Sequence, residues 1–149
     1  MDMPYENHGR GRIVVGVDGS TSSVRALRWA LRQAELTGAV VEAVYVWDLT
    51  TSFGMSMTVS PTENLALAAE EVLAQAIVRA ADGGPIVPME HRVEQGKPAA
   101  VLIEEAKRAD LLVLGGRGLG GFAGALLGSV SQHCVQHAAC PVVVVRTDV

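Results

Sequence analysis

The sequence predicts one doubly wound α/β domain, with a five-stranded parallel sheet in the order 3-2-1-4-5 and four helices. From Arg12 onward, apolar β-branched runs alternate with longer segments of helical periodicity, which is typical of parallel strands joined by crossover helices. The 149 residues are about one domain's length, and no internal repeat or linker divides them. We expect a flexible N-terminal segment at 1–11 and a single domain at 12–149.

Composition argues against several classes of partner. A net charge of −4 and only two lysines disfavour non-specific binding to nucleic acid. No apolar run approaches the roughly 20 residues that span a bilayer, and the polar start does not resemble a signal peptide. Two cysteines without export features indicate reduced thiols. We therefore expect a cytoplasmic protein that binds neither nucleic acid nor membranes.

The first strand is predicted at 12–18, and the first helix begins at about Ser20 and ends at Gly38. Its periodicity places one set of residues inward, namely Val24, Leu27, Leu31 and Ala34. The second strand is predicted at 40–48, and a long loop follows at 49–60.

The second helix is predicted from Ser60, as a cap, to about Ala81, with Pro61 in its first position and Glu63 completing a capping box. Its inward residues are predicted to be Leu65, Ala68, Ala69, Val72 and Ala76. The third strand, roughly from Ile86 to Val93, contains a proline and several charged residues, which favours the edge of the sheet.

The third helix begins near Lys97, the fourth strand is 110–115, the fourth helix is 129–139 and the last strand is 141–146. Val142–Val145 is a continuous apolar run in a strand that the predicted order places at an edge. Because such an edge aggregates unless it is paired, we expect a homodimer formed through these residues.

Glycine dominates the stretch between strand four and helix four. Ligands of such sheets bind beyond the carboxyl ends of the strands where the strand order reverses, here between Asp18 and the glycines that follow Leu114. Glycines let a ligand approach the backbone, and the helix that begins at Gly128 and Ser129 attracts anions. The stretch is not a Walker A loop, because no lysine follows its last glycine. It does not fit the dinucleotide fingerprint either, because that motif follows the first strand and this stretch follows the fourth. The pattern therefore predicts a phosphate site of another kind.

The spacing Gly115-x-x-Gly118, nine residues, then Gly128-Ser129 resembles the ATP-binding signature of the universal stress protein family. VVGVDGS at 14–20, YVWD at 45–48 and CPVVVV at 140–145 are also similar, so the resemblance extends from about Ile13 to Val145. It implies a Rossmann-like fold, a homodimer, and ATP with Mg²⁺ or Mn²⁺ on its phosphates. It also implies a nucleotide-dependent regulator or sensor of the stress response.

The resemblance also implies roles for particular residues. The nucleoside is expected beside Gly16, Val17 and Asp18 and against the backbone of Val46. The ribose and phosphates are expected within the loop that contains Gly115, Arg117 and Gly118, and at the helix start formed by Gly128, Ser129, Val130 and Ser131. Arg117 either pairs with a phosphate or points to water. The 49–60 loop is either a lid or an untethered segment, and glycines 116, 120, 121 and 124 have no assigned role.

Three other functions stay open: a slow ATP hydrolase, a cyclic AMP-binding protein, and an interaction module without nucleotide. Hydrolysis requires a group that orients water, and Asp18 is the nearby carboxylate. Asp18 also has a structural interpretation, as a cap of the first helix. No catalytic residue is assigned.

His133, His137 and Cys140 have a spacing that a metal site can use. Cys134, however, shares an apolar helix face with Val130 and Ala138, which favours ordinary core packing. No metal ligand is assigned. The acidic pairs Glu70-Glu71 and Glu104-Glu105 are expected on solvated helix faces.

Overall fold

The structure, a computed structural model, describes residues 9–48, 62–117 and 127–146. Within these ranges strands and helices alternate, as predicted. The strands are β1 (Arg12–Val17), β2 (Val40–Trp47), β3 (Met89–Gln95), β4 (Leu111–Gly115) and β5 (Val142–Val145). The helices are α1 (Thr21–Thr37), α2 (Thr62–Ala81), α3 (Pro98–Ala106) and α4 (Ser129–His137). The cap predicted at Ser60 and Pro61 and the 49–60 loop lie outside the described residues.

All strand pairs of the sheet are parallel, and their order, β3-β2-β1-β4-β5, confirms the prediction. The β1–β4 register runs from Ile13/Leu111 to Val15/Val113. The β4–β5 register continues further, to Gly115/Val145. The last residues of β4 therefore stay with β5 and leave β1, so the sheet opens between β1 and β4 at its carboxyl end.

Two apolar cores cover the two faces of the sheet. Successive residues of a strand point to opposite faces, so Val15 packs in the core under α1 and α2 while Val14 packs in the core under α3 and α4. Both valines are 0% exposed. These two cores hold the four helices against the sheet.

Helix α1 has the ends and the buried face that its sequence predicts. The Ser20 hydroxyl accepts from the Ser23 N–H at 3.1 Å, and Gly38 ends the helix with a φ of +78° and an N–H that donates to the Ala34 carbonyl. The four residues predicted to face inward are all buried: Val24, Leu27, Leu31 and Ala34.

The inward face predicted for α2 is wrong at Ala68, which is exposed, and it omits Leu73, which is 1% exposed. The buried stripe instead follows steps of three and four residues, through Ala69, Leu73, Ala76 and Ala80. Ala68 is rotated by about 100° from Ala69, to the side of this stripe, and is exposed.

The predicted bounds of the third strand are also wrong, although its place at the sheet edge is confirmed. Ile86 is fully exposed, and pairing begins only where the Pro88 carbonyl accepts from the Val41 N–H at 3.0 Å. Pairing then extends to Gln95. Similarly, the last helix ends at His137 and not at Ala139, because Ala138 is extended.

The expectation that Glu105 lies on a solvated helix face is wrong, because this side chain is buried in an ion-pair network. Its carboxylate lies 3.0 Å from Arg12 Nη2 and 2.6 Å from Arg92 Nη2. Both arginines also pair with Glu42, a β2 residue that is 5% exposed. The network therefore links α3 to three strands of the sheet.

The pKa of Glu105 is set by two opposed effects. Burial raises it, whereas hydrogen bonds and charge from Arg92 and Arg12 lower it, and the net pKa lies below the ordinary value of 4.5. A lowered pKa in the folded state means that ionised Glu105 stabilises the fold above pH 4.5. This stabilisation is lost as the pH falls through the folded-state pKa.

We expect Glu105→Gln to lower the free energy of unfolding at neutral pH by about 1–3 kcal/mol, because two arginines lose a charged partner. Below pH 4.5 the wild-type protein should lose stability more steeply than the variant does. Urea unfolding at a series of pH values measures both effects. The matched control is Glu104→Gln, whose exposed side chain pairs with Lys107 and should change stability by less than about 0.5 kcal/mol. Equal losses in the two variants would contradict the role of the network.

Candidate functional site

The first turn of α1 lies directly against the carboxyl end of β4. A Cβ added to Gly115 would lie 2.7 Å from the backbone carbon of Ser22 and 2.8 Å from its oxygen, closer than real Cβ atoms come to other atoms. The Ser22 hydroxyl oxygen obstructs it as well, but the other two atoms belong to the backbone and cannot rotate away. Glycine at 115 is therefore required for packing, whatever it contributes to a ligand.

Residues Gly115, Gly116 and Arg117 form the strand–loop junction, which is bonded to its neighbours on several sides. The Ser131 hydroxyl donates to the Gly115 carbonyl at 2.7 Å. Gly116 accepts from the Gly128 N–H at 2.7 Å and donates to the Val145 carbonyl at 3.0 Å. These bonds bring the start of α4 to the end of β4, as the site prediction requires.

The glycine stretch itself is described only at its two ends. Gly118, which the sequence places in the site, lies outside the described residues, as do the surplus glycines at 120, 121 and 124. Gly116 is described and buried, and its two hydrogen bonds give it a structural role that the sequence did not assign.

Asp18 directly follows β1 and organises the entry into α1. Its Oδ1 accepts from the Ser20 N–H at 2.9 Å and from the Ser20 hydroxyl at 2.5 Å. Ser20, and not Asp18, is the N-cap residue. The structural interpretation of Asp18 is therefore correct in part: its carboxylate orients the residue that caps the helix.

Tyr45 is a neighbour of Asp18 that the sequence reasoning missed. It is paired in register with Val17 and is half-buried. Burial and the negative charge of Asp18 raise the pKa of Tyr45, so its phenol stays protonated at neutral pH and can donate a hydrogen bond. The register of β1 with β2 is the signal that would have placed it here.

Val46 and Gly16 pack on the other face of the sheet, in or against the core under α3 and α4. The side chain of Val46 packs partly against this core. A Cβ on Gly16 would come within 2.8 Å of Leu114 and 2.9 Å of Leu102, at the ends of flexible side chains. For both residues, only backbone atoms are therefore expected to face a ligand at the strand ends.

The start of α4 can attract an anion. Gly128 is its N-cap and provides no side-chain bond, and no acidic residue occupies the first turn, all of which is described. Ser129 is exposed, Val130 is half-buried and Ser131 is 4% exposed. Unpaired N–H groups and the helix dipole at such an end favour negative charge. Arg117, which is exposed at the junction, adds a positive side chain.

The cysteines and histidines at 133–140 do not form a metal-binding group in the described part of the chain. Cys134 is 0% exposed, and Val130 and Ala138 pack against the same core, which confirms the apolar interpretation of this face. Burial, with a smaller effect from Cys140, raises the pKa of Cys134 to about 11. Among the described residues, no group of three or more His, Cys, Asp or Glu side chains could hold a metal ion.

Comparison with known proteins identifies the family. Residues 9–146 match the model of the Universal stress protein family. The chain belongs to this family. A universal stress protein of Mycolicibacterium smegmatis is 38% identical over 135 residues, which are 90% of this chain and 45% of that protein. A universal stress protein of Methanocaldococcus jannaschii, MJ0531, is 34% identical over 140 residues, covering 91% of this chain and 81% of that protein.

The structure of a universal stress protein in complex with cAMP is similar to this fold. It has a TM-score of 0.69 and 30% identity, and the match covers 93% of this chain and 98% of that one. The present chain spans less than half the length of the Mycolicibacterium smegmatis protein, and less than half the length of a universal stress protein of Mycobacterium tuberculosis. In the parts of the chain that are described, no helix is both long and apolar enough to cross a membrane.

The contact between Gly115 and Ser22 predicts a sharp difference between two adjacent glycines. We expect Gly115→Ala to lower the free energy of unfolding by about 2 kcal/mol or more, because the new Cβ overlaps immovable backbone. Gly116→Ala is the matched control, since its Cβ would meet its nearest atoms at an ordinary 3.7 Å. Denaturant unfolding of both variants measures the difference. Similar stabilities for the two would show that α1 does not lie against β4 as described.

Proposed function

We propose that this universal stress protein binds ATP in the cytoplasm and acts as a nucleotide-dependent regulator or sensor of the stress response. The observation that carries the proposal is the meeting of three chain segments at the carboxyl end of the sheet. These are the turn from β1 into α1, the junction after β4 and the start of α4. The relative in complex with cAMP, at 30% identity, supports an adenine nucleotide as the ligand.

In this proposal the nucleoside lies against the ends of β1 and β2. Gly16, Val17 and Val46 contribute backbone groups, and Asp18 contributes a carboxylate whose described bonds all reach Oδ1. Its other oxygen, Oδ2, can accept from a ribose hydroxyl. Tyr45 contributes a protonated phenol on the same side as Asp18.

The phosphates lie at the junction and the start of α4. The backbone N–H groups of the first turn, at Ser129 and Val130, point along the helix axis toward an anion, and the Ser129 hydroxyl is exposed beside them. Arg117 adds a charge that favours a nucleotide over a nucleoside. A Mg²⁺ or Mn²⁺ ion on the phosphates would neutralise part of their charge.

A substitution at Ser129 tests the phosphate site. We expect Ser129→Glu to lower the affinity for ATP by about tenfold or more, because a carboxylate at the helix start repels phosphate. The same carboxylate favours the helix dipole, so stability should not fall, and affinity for adenosine should change by less than about threefold. Isothermal titration with both ligands measures these effects.

The neutral control is Ser129→Gln, which has nearly the size of Ser129→Glu without its charge. Equal loss of ATP affinity in both variants would indicate a steric effect and contradict an anion site at this position. Failure of the wild-type protein to bind any adenine nucleotide would contradict the proposed function as a whole.

Cyclic AMP binding is a second candidate, favoured by the cAMP complex of the 30% identical relative. One phosphate at the α4 start would satisfy the same N–H groups. The same titrations separate the two ligands: tighter binding of cAMP than of ATP would replace the first proposal with the second.

We also propose that the protein is a homodimer paired through β5. This strand is the last of the sheet, and all four of its valines are half-buried. The Pro141 carbonyl accepts from the Leu112 N–H in β4, and the Val145 carbonyl accepts from the Gly116 N–H just after β4. Because backbone groups of alternate residues point to opposite sides of a strand, the N–H groups of Val142 and Val144 point to the open edge.

At micromolar concentration we expect light scattering to give the wild-type protein a mass twice that of its 15.6 kDa chain. For Val144→Pro we expect the mass of a monomer. Proline removes the outward N–H of Val144 and is tolerated on edge strands. Val144→Ala, which shortens the side chain but keeps the N–H, is the control and should stay dimeric. A monomeric wild-type protein, or a dimeric Val144→Pro that is folded by circular dichroism, would refute pairing through β5.

A further inference from the structure

We infer that the side chain of Ser131 positions the phosphate site and that its hydroxyl is not a ligand. The Ser131–Gly115 hydrogen bond, in which the hydroxyl donates to the carbonyl at 2.7 Å, fixes the start of α4 relative to the end of β4. The effect of this bond on ligand affinity rests on the proposed nucleotide site. Its effect on the ligand-free protein does not.

The location of Ser131 separates it from the other serine of the same helix turn. Ser131 is 4% exposed, whereas the side chain of Ser129 is exposed. Gly115 lies beyond the last β1–β4 register pair, Val15/Val113, at the point where the two strands have separated. The Ser131 hydroxyl therefore bonds a carbonyl at the opening of the crevice.

The Ser131 hydroxyl cannot donate to the Gly115 carbonyl and to a phosphate at the same time. A serine hydroxyl has one hydrogen to donate, and here it is donated to Gly115. The phosphate oxygens of a nucleotide at neutral pH act mainly as acceptors, so a bond to them would need that same hydrogen. Direct contact with phosphate would break the Ser131–Gly115 bond and leave the carbonyl of Gly115 without this partner.

The neighbouring bonds show what the Ser131–Gly115 bond positions. Gly116 follows Gly115 directly, and it is bonded to Gly128 at the helix start and to Val145 at the end of β5. Arg117 comes next, and its N–H lies 3.4 Å from the Ser22 hydroxyl. Loosening Gly115 therefore shifts the backbone from which Arg117 projects and the amides that face the anion.

Amide hydrogen exchange in the ligand-free protein tests the inference. We expect Ser131→Ala to accelerate exchange of the Gly116 and Gly128 amides by about tenfold or more, because both amides are bonded within the linked segments. Ser129→Ala should change these rates by less than about twofold. Ser131→Thr keeps the hydroxyl and should restore slow exchange. If Ser131→Ala leaves the rates unchanged, the positioning role is overturned.

Titration with ATP provides the second readout. Ser131→Ala should lower ATP affinity by about fivefold or more, whereas Cys134→Ala should leave it within about twofold, since each tenfold change is 1.4 kcal/mol of binding free energy. Cys134 is buried on the same helix but belongs to the core, so its variant controls for lowered stability alone. Unchanged ATP affinity in Ser131→Ala would overturn the inference. Absence of nucleotide binding by the wild-type protein would contradict the proposed function, and the exchange rates would still decide the role of the bond.

Discussion

The close contact between the backbone of Ser22 and Gly115 determines how α1 and β4 meet at the carboxyl end of the sheet. It sets the distance between α1 and β4, and any side chain at 115 would force the two apart. Asp18 and Ser20 precede the same helix turn and are both hydrogen-bonded to Ser23 within it. The start of α1 thus lies beside both the end of β1 and the end of β4.

Apolar burial and charge pairing act on different parts of the sheet. Around β1 and β4 the helices cover both faces with apolar side chains, and the valines of these strands are buried. Nearer to β3, charged side chains lie between α3 and the sheet. There Arg12 and Arg92 each pair with the carboxylates of Glu42 and Glu105. Apolar contact supplies most of the stability, since desolvation offsets much of the gain of a buried ion pair. The ion pairs specify instead where α3 lies.

Local patterns in the sequence predicted most of the fold, and contacts between distant residues account for the errors. The succession of strands and helices and the α1 caps follow from alternation, glycine placement and serine position, which are visible within short windows. The strand order follows from the doubly wound fold class that this succession predicts. Glu105 resembles its exposed neighbour Glu104 in sequence, and only the approach of two arginines from other strands explains its burial. Likewise, the resemblance to the family implies that Gly115 and Ser131 lie near a ligand. The bond between them depends on the separation of β1 from β4, which no local pattern encodes.

The two edges of the sheet differ in chemistry, and this difference limits how copies can associate. β3 presents Glu90, Arg92 and Glu94 and follows a proline, whereas β5 presents only valines. A growing filament needs a head-to-tail contact, in which β5 of each copy pairs with β3 of the next. Charge and proline oppose that contact. In the proposed dimer, two β5 strands related by a two-fold axis satisfy each other and leave only β3 edges outside, so the symmetry of that contact would close the assembly and protect the chain from forming fibres.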